Sequence, residues 1–434
     1  MYMLIAARAI AGMGGGGVMT VASITMTDLV PLASRGIYQG LGNVVAGVGA
    51  GLGGPLGGFI NDNFGWQWAF FSQIPLLLMS FTLIFTFVDV KLPQQPETTR
   101  EKLSRIDYLG SLTLVLGVGS MLLGVTLKGS EDIPWSDPRV FGLLVSSTIF
   151  IAAFIYAETW VSKQPIMPLR LLKQRTPLAV AVSSLFTQAV GYASIFNLPI
   201  FYTAVRLESA ETTGLHLLPL AAAMGIGSLG AGIIMKMTGK YYYLALTGAL
   251  VSVGSNGLLA LWNPSTSSWH LWVDMVPSAL GGAASVTCTL IALIATVDRA
   301  DFAVATGLSA LFRSTGQVLG VSLSAAFLQG LLSKNLRQRI TGPGSAEVID
   351  MIRHSTDVIR TLDPPLRRAA IESYAASLRV VFLFQMGLAV LAFLACLPIE
   401  ENPLPSTMKE QAEQEEERRQ GQVRGRAGEV ATDA

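Results

Sequence analysis

Two arginines sit inside long apolar runs: Arg8 in the run 3–27 and Arg313 in the run 303–333. An arginine at the centre of a bilayer costs at least about 2.5 kcal/mol, so each needs a partner or a wet cavity. In a cavity a guanidinium can hold an anionic group of a solute or take part in proton coupling. A purely structural pairing with backbone carbonyls or a neighbouring helix is the competing reading. Gln317 follows Arg313 by one turn and could line the same space. The run 178–204 adds Gln188, Tyr192, Asn197, Pro199 and Tyr202. Gln188, Tyr192 and Pro199 fall near one helical face, and Asn197 lies off it. Amides and phenols on a proline-kinked helix suit the wall of a solute cavity; they also suit hydrogen bonds between helices. No acid lies comparably deep. Asp89, Asp107, Glu158 and Asp274 all fall near run ends, where acids are expected to be solvated. Between the first two runs, Asp28 and Arg35 offer either turn chemistry or a cytoplasmic latch that breaks when the protein changes state.

Other chemistry is poorly supported. Cys288 and Cys396 lie in apolar runs and read as small buried hydrophobes, not as a disulfide or metal pair. His216, His270 and His354 lack a second ligand at helical spacing and are assigned no chemistry. Gly12 to Gly17 is glycine-rich but inside an apolar run, so it is no phosphate loop. No catalytic triad or dinucleotide motif is present. The sequence implies no enzyme, no cofactor and no metal. A net charge of +1 gives no hint of nucleic acid.

The elements that must position these residues are membrane helices. Of the 434 residues, 51% are hydrophobic and 14% charged, against about a quarter charged in soluble domains. Eleven runs have spanning length, near 3–27, 38–60, 67–89, 107–127, 140–160, 178–204, 213–235, 241–262, 271–297, 303–333 and 378–398. The tenth is too long for one simple span and is expected to leave the bilayer near Ser333 as an interfacial helix. Lys and Arg concentrate in alternate short loops, around 35, 91–105, 163–175, 236–240 and 299. That side, and the C-terminal tail with it, is expected to be cytoplasmic. Met1 then falls on the other side without a polar flank, so an N-terminal piece with an odd number of spans is expected to be missing.

The second run is the most unusual. From Gly40 to Gly58 about half the positions are glycine, with Pro55 near the end. Interior Gly costs about 1 kcal/mol and Pro about 3 in a soluble helix. In lipid, small-xxx-small pairs such as Gly47/Gly51, Gly49/Gly53 and Gly54/Gly58 let backbones approach closely. A shift of 267 residues places Gly14-Gly15 on Gly281-Gly282, Gly40 on Gly307, Gly49 on Gly316 and Gly53 on Gly320. This is a parallel repeat, as in transporters built from two halves. The organisation read from it is a partial first half (1–90), a linker with two inserted helices (91–176), a six-helix second half (177–398) and a charged, disordered tail (399–434).

These residues resemble the major facilitator superfamily, in its fourteen-span drug:proton antiporter group. Arg8 through Gly17 resembles the family's fourth-span motif. Gly54-Pro55-Leu56-Gly57-Gly58 resembles its fifth-span antiporter motif, with Ala50 where a glycine is usual and Gly49 and Gly51 on either side; Gly47, Gly51, Gly54, Pro55, Gly57 and Gly58 are expected to pack as that motif does. Asp28 to Gly40 is similar to the adjoining loop of fungal members. The segments 65–70, 168–172, 214–219 and 305–313 resemble the fungal vacuolar basic amino acid transporters. The resemblance implies an all-α membrane bundle of two pseudo-symmetric halves. It implies alternating access, with protons and a small solute as partners, the solute being either a basic amino acid or a drug-like compound. A monomer in a vacuolar or plasma membrane is expected. The rival expectation is a truncated, non-transporting membrane protein or assembly partner.

Overall fold

A computed structural model describes residues 2–88, 107–131, 136–162, 169–297, 301–342, 344–356, 358–402 and 404. All regular structure among them is helical. The N-terminal part is α1 (Tyr2–Leu29), α2 (Leu32–Phe64), α3 (Trp66–Phe71) and α4 (Gln73–Phe87). A hairpin follows, α5 (Tyr108–Glu131) and α6 (Pro138–Tyr156). After short α7 (Leu169–Leu172) come α8 (Arg175–Ile200), α9 (Ala210–Thr238), α10 (Tyr242–Leu259), α11 (Ser268–Val273), α12 (Val276–Thr296) and α13 (Phe302–Arg339). The last helices are α14 (Ser345–His354), α15 (Val358–Thr361) and α16 (Pro364–Cys396).

Nine stretches of the described residues are long and apolar enough to cross a membrane, two fewer than the sequence runs suggest. The runs 38–60 and 241–262 are helical as expected, within α2 and α10. Glycine in α2 and Tyr, Ser and Asn in α10 dilute their hydropathy. Both helices pack against other spans, so neither relies on an apolar surface all round.

Local signals set the ends. Asp137 caps α6 by accepting from the Arg139 N–H at 2.8 Å, with Pro138 in the first turn. Ser209 caps α9 through the Thr212 N–H, and α9 stops at Gly239, whose φ of 68° suits glycine. The Tyr241 hydroxyl donates to the Glu400 carbonyl at 2.8 Å and accepts from the Asn402 N–H at 2.7 Å. These bonds tie the α9–α10 turn to the end of α16 and define the tail end of the bundle.

Helices α8, α9, α10, α12, α13 and α16 form one bundle with two apolar cores. The core at the tail end holds Met235, Tyr241, Ile291 and Cys396. The outer core holds Phe201, Trp262, Leu332, Leu336, Ile352, Ile359 and Phe382. Part of this outer core comes from residues 334–377, between the last two apolar runs. Helix α13 continues unbroken to Arg339, about 57 Å at 1.5 Å per residue, well beyond a hydrocarbon core of about 30 Å. Its last turns bury Leu332 and Leu336 against α14, α15 and an α16 that begins at Pro364. The apolar period of Ile349 and Ile352 in α14 is what closes this cap.

The inserted hairpin packs on itself through the Ser147 hydroxyl donating to the Gly117 carbonyl at 2.8 Å. It is not isolated, since α5 also lies against α13, with Thr126 and Ser322 hydroxyls 3.4 Å apart. In contrast, α1 and α4 expose apolar side chains along their length.

Candidate solute site

Two crossings position the polar side chains. The first joins α8 and α13, which run parallel. A Cβ added at Gly316 or Gly320 would fall on the Leu185 or Ala189 carbonyl, so glycine at both positions lets the two backbones touch. Gln188 and Tyr192 flank this contact line on α8, and Arg313 and Gln317 flank it on α13. Gln188, Arg313 and Gln317 are half-buried and Tyr192 is 38% exposed. Among the described residues none of the four makes a hydrogen bond or ion pair.

That sets them apart from several polar side chains deeper in the bundle that bond across helices. Asn197 is one of those. It is fully buried, donating to the Ser324 hydroxyl at 3.0 Å and the Ala193 carbonyl at 2.7 Å, so here it joins helices and lines no cavity. Ser194 donates to Gln385 at 3.0 Å, and Asn256 donates to Ser278 at 3.0 Å. Arg8 is exposed on α1 and lies 5.9 Å above the Phe70 ring of α3. The structure thus groups four of the six cavity candidates and sets Asn197 and Arg8 in other contacts.

The second crossing is α2 on α9, the most extensive helix contact among the described residues. A Cβ at Gly40 would lie 2.5 Å from the Leu229 Cα, one at Gly36 2.7 Å from the Met235 methyl, and one at Gly47 3.2 Å from the Ala221 carbonyl oxygen. The contact therefore starts earlier than the antiporter-like motif. Gly49, Gly53 and Gly57 meet no atom within 4 Å, and Gly51, Gly54, Pro55 and Gly58 lie outside the described side chains. The repeat is unevenly used. Gly281, Gly316 and Gly320 are gripped by α10 or α8, whereas their mates Gly14, Gly49 and Gly53 face open space.

Sequence reasoning missed a polar chain across this seam. Asn43 donates to the Ser228 hydroxyl at 2.7 Å, and Ser228 and Thr287 hydroxyls lie 2.6 Å apart. The signal was there: Asn43 is the one polar side chain between Gly40 and Gly58. At the tail end Arg35 is buried, donates from Nε to the Val30 carbonyl at 2.9 Å and lies 5.5 Å over the Phe302 ring. It thereby connects the start of α2 to the start of α13. Its expected latch partner, Asp28, has a side chain outside the described residues. Arg170 and Asp301 pair at 2.5 Å beside it. Two further expectations change. Asp274 is buried rather than solvated, and His216 and His270, given no chemistry above, both contact carboxylates.

The description of the Major Facilitator Superfamily matches residues 1–321. The chain belongs to that superfamily. It is 35% identical over 402 residues to the multidrug resistance protein fnx1 of Schizosaccharomyces pombe, covering 92% of this chain and 75% of the relative. The vacuolar membrane amino acid uptake transporter fnx2 of the same organism is 32% identical, with 93% and 70% covered. The vacuolar basic amino acid transporter 2 of Saccharomyces cerevisiae is 30% identical over 423 residues, with 94% and 88% covered. The protein is a multi-pass membrane transporter of small molecules and not an enzyme.

Proposed function

We propose that this transporter moves an amino acid by proton-coupled antiport with alternating access, the solute sitting at the α8–α13 crossing. The supporting observation is that four polar groups, Gln188, Tyr192, Arg313 and Gln317, gather at one helix crossing and make no hydrogen bond or ion pair among the described residues. A guanidinium binds a carboxylate through two parallel N–H donors, and every amino acid brings a carboxylate. The two amides supply donors and acceptors for the ammonium end. The vacuolar amino acid relatives agree with this solute class. A drug-like solute is the second reading, favoured by the exposed ring of Tyr192 and by the multidrug relative.

In this account residues 1–90 and 177–398 belong to two halves that rock about the α2–α9 seam, with 91–176 as the inserted linker. Arg35 on Phe302 closes the cytoplasmic end. The protein works as a monomer in a vacuolar membrane, its tail in the cytoplasm. Binding of lysine and of lysine methyl ester to purified protein tests the site. The ester lacks the carboxylate and should bind about tenfold or more weakly, as expected for one charged hydrogen-bonded contact. Equal binding of the two would remove Arg313 from the site.

A further inference from the structure

We infer that Glu208 and His216 form a proton-binding site at the outer end of the bundle, on the turn that joins α8 to α9. The inference rests on the proton-coupled reading for its role in transport, and on geometry alone for its existence. His216 lies two turns into α9 and is 3% exposed. Its ring stacks on Tyr202 at 4.6 Å between centroids and 14° between planes, and it meets Trp272 at 4.2 Å. The Tyr202 hydroxyl is itself fixed, donating to the Leu271 carbonyl at 2.9 Å. His216 Nε2 is 3.0 Å from Glu208 Oε2. That contact is not aligned as a hydrogen bond, and among the described residues Nδ1 of His216 has no partner either. The pair is buried yet uncommitted.

The neighbouring charges are committed elsewhere. Asp274 accepts from Trp262 Nε1 at 3.0 Å and faces His270 Nδ1 at 3.1 Å. Arg206 donates to the Pro264 carbonyl at 2.7 Å, and Arg360 to the Leu207 carbonyl at 2.9 Å. Glu211 has a side chain outside the described residues.

Burying a net charge is costly, so this pair is held neutral overall, with one proton shared between imidazole and carboxylate. A second proton, taken from water by the Glu208 carboxylate, leaves a carboxylic acid beside an imidazolium. Two aromatic faces within 6 Å make that cation tolerable. Glu208, whose side chain is 20% exposed, is the member that meets water. Protonation removes the charge attraction that holds Glu208 to α9. The adjacent backbone is poised to respond: Leu207 has φ 56°, the one positive value at a non-glycine among the described residues. The turn links α8, which carries Gln188 and Tyr192, to α9, which carries the seam with α2. A proton on this pair is therefore felt at both crossings.

The test uses the full chain in nanodiscs and two readouts. Tryptophan emission followed from pH 8 to pH 5 should show a step that is lost in His216→Gln and Trp272→Phe and displaced in Glu208→Gln. In proteoliposomes His216→Gln should keep lysine exchange at zero gradient while gradient-driven accumulation falls about tenfold, the usual scale of coupling between two sites. Monodisperse elution and an unchanged melting temperature show that a variant is folded; if His216→Gln does not fold, the displacement in Glu208→Gln decides. A step that survives in both His216→Gln and Glu208→Gln, or exchange and accumulation that fall together, overturns the assignment. Wild-type lysine uptake that ignores the gradient would instead remove the proton-coupled reading, and the emission step would still decide whether the pair binds protons.

Discussion

At the residue scale, Arg313 matters because it has no hydrogen-bond or ion-pair partner among the described residues. Its neighbours show the alternative: Asn197 satisfies Ser324, and Gln385 satisfies Ser194. Removing a charged donor from a bound carboxylate costs about 1.5–3 kcal/mol, or roughly ten- to a hundredfold in affinity. Arg313→Gln should therefore weaken lysine binding by that factor while the melting temperature stays within a degree or two. Asn197→Ala should do the reverse. It removes the bond that Asn197 donates to Ser324 across the two helices, so a loss of about 0.6–1.7 kcal/mol in stability is expected with affinity little changed. Equilibrium binding and thermal unfolding, measured on both variants, separate the two roles.

At the element scale, the α2–α9 seam is set by glycine. The Leu229 backbone occupies the space a Gly40 side chain would need, so Gly40→Leu must push the helices apart. Overpacking of this kind costs about 1–3 kcal/mol, and transport should fail before folding does. Cysteine pairs across the seam, read by cross-linking, would show whether the helices have separated. Ser228→Ala breaks the chain from Asn43 to Thr287 and should cost less, about 0.6–1.7 kcal/mol. Much of this was legible in the sequence. Apolar runs gave the helices, and glycine density marked α2 as gripped. What was not legible is which glycines meet a neighbour. Gly36 and Gly40 touch α9 while Gly49 and Gly53 touch nothing, and composition alone cannot distinguish them, because contact depends on which face the tertiary fold covers. The cap of α14 and α15 was hidden for a related reason. Its short helices carry many charges, and only pairing with the end of α13 reveals Ile349, Ile352 and Ile359 as core.

At the scale of the whole molecule, the two proposed halves meet along the glycine seam of α2 and α9, and the polar groups of the proposed solute site lie one crossing away from it. In the proposed cycle, alternating access is a change at the α2–α9 seam, with the Arg35–Phe302 contact closing the end proposed to be cytoplasmic. Arg35→Ala should raise leak or exchange relative to gradient-driven transport, measured as the ratio of the two in one preparation. The most direct test of the central claim is uptake of radiolabelled lysine into proteoliposomes under an imposed proton gradient, with wild type and Arg313→Gln side by side. Gradient-dependent uptake that a protonophore abolishes, and that Arg313→Gln reduces at least about tenfold, is the predicted result. Wild-type uptake indifferent to the gradient, or Arg313→Gln transporting lysine as well as wild type, would contradict it.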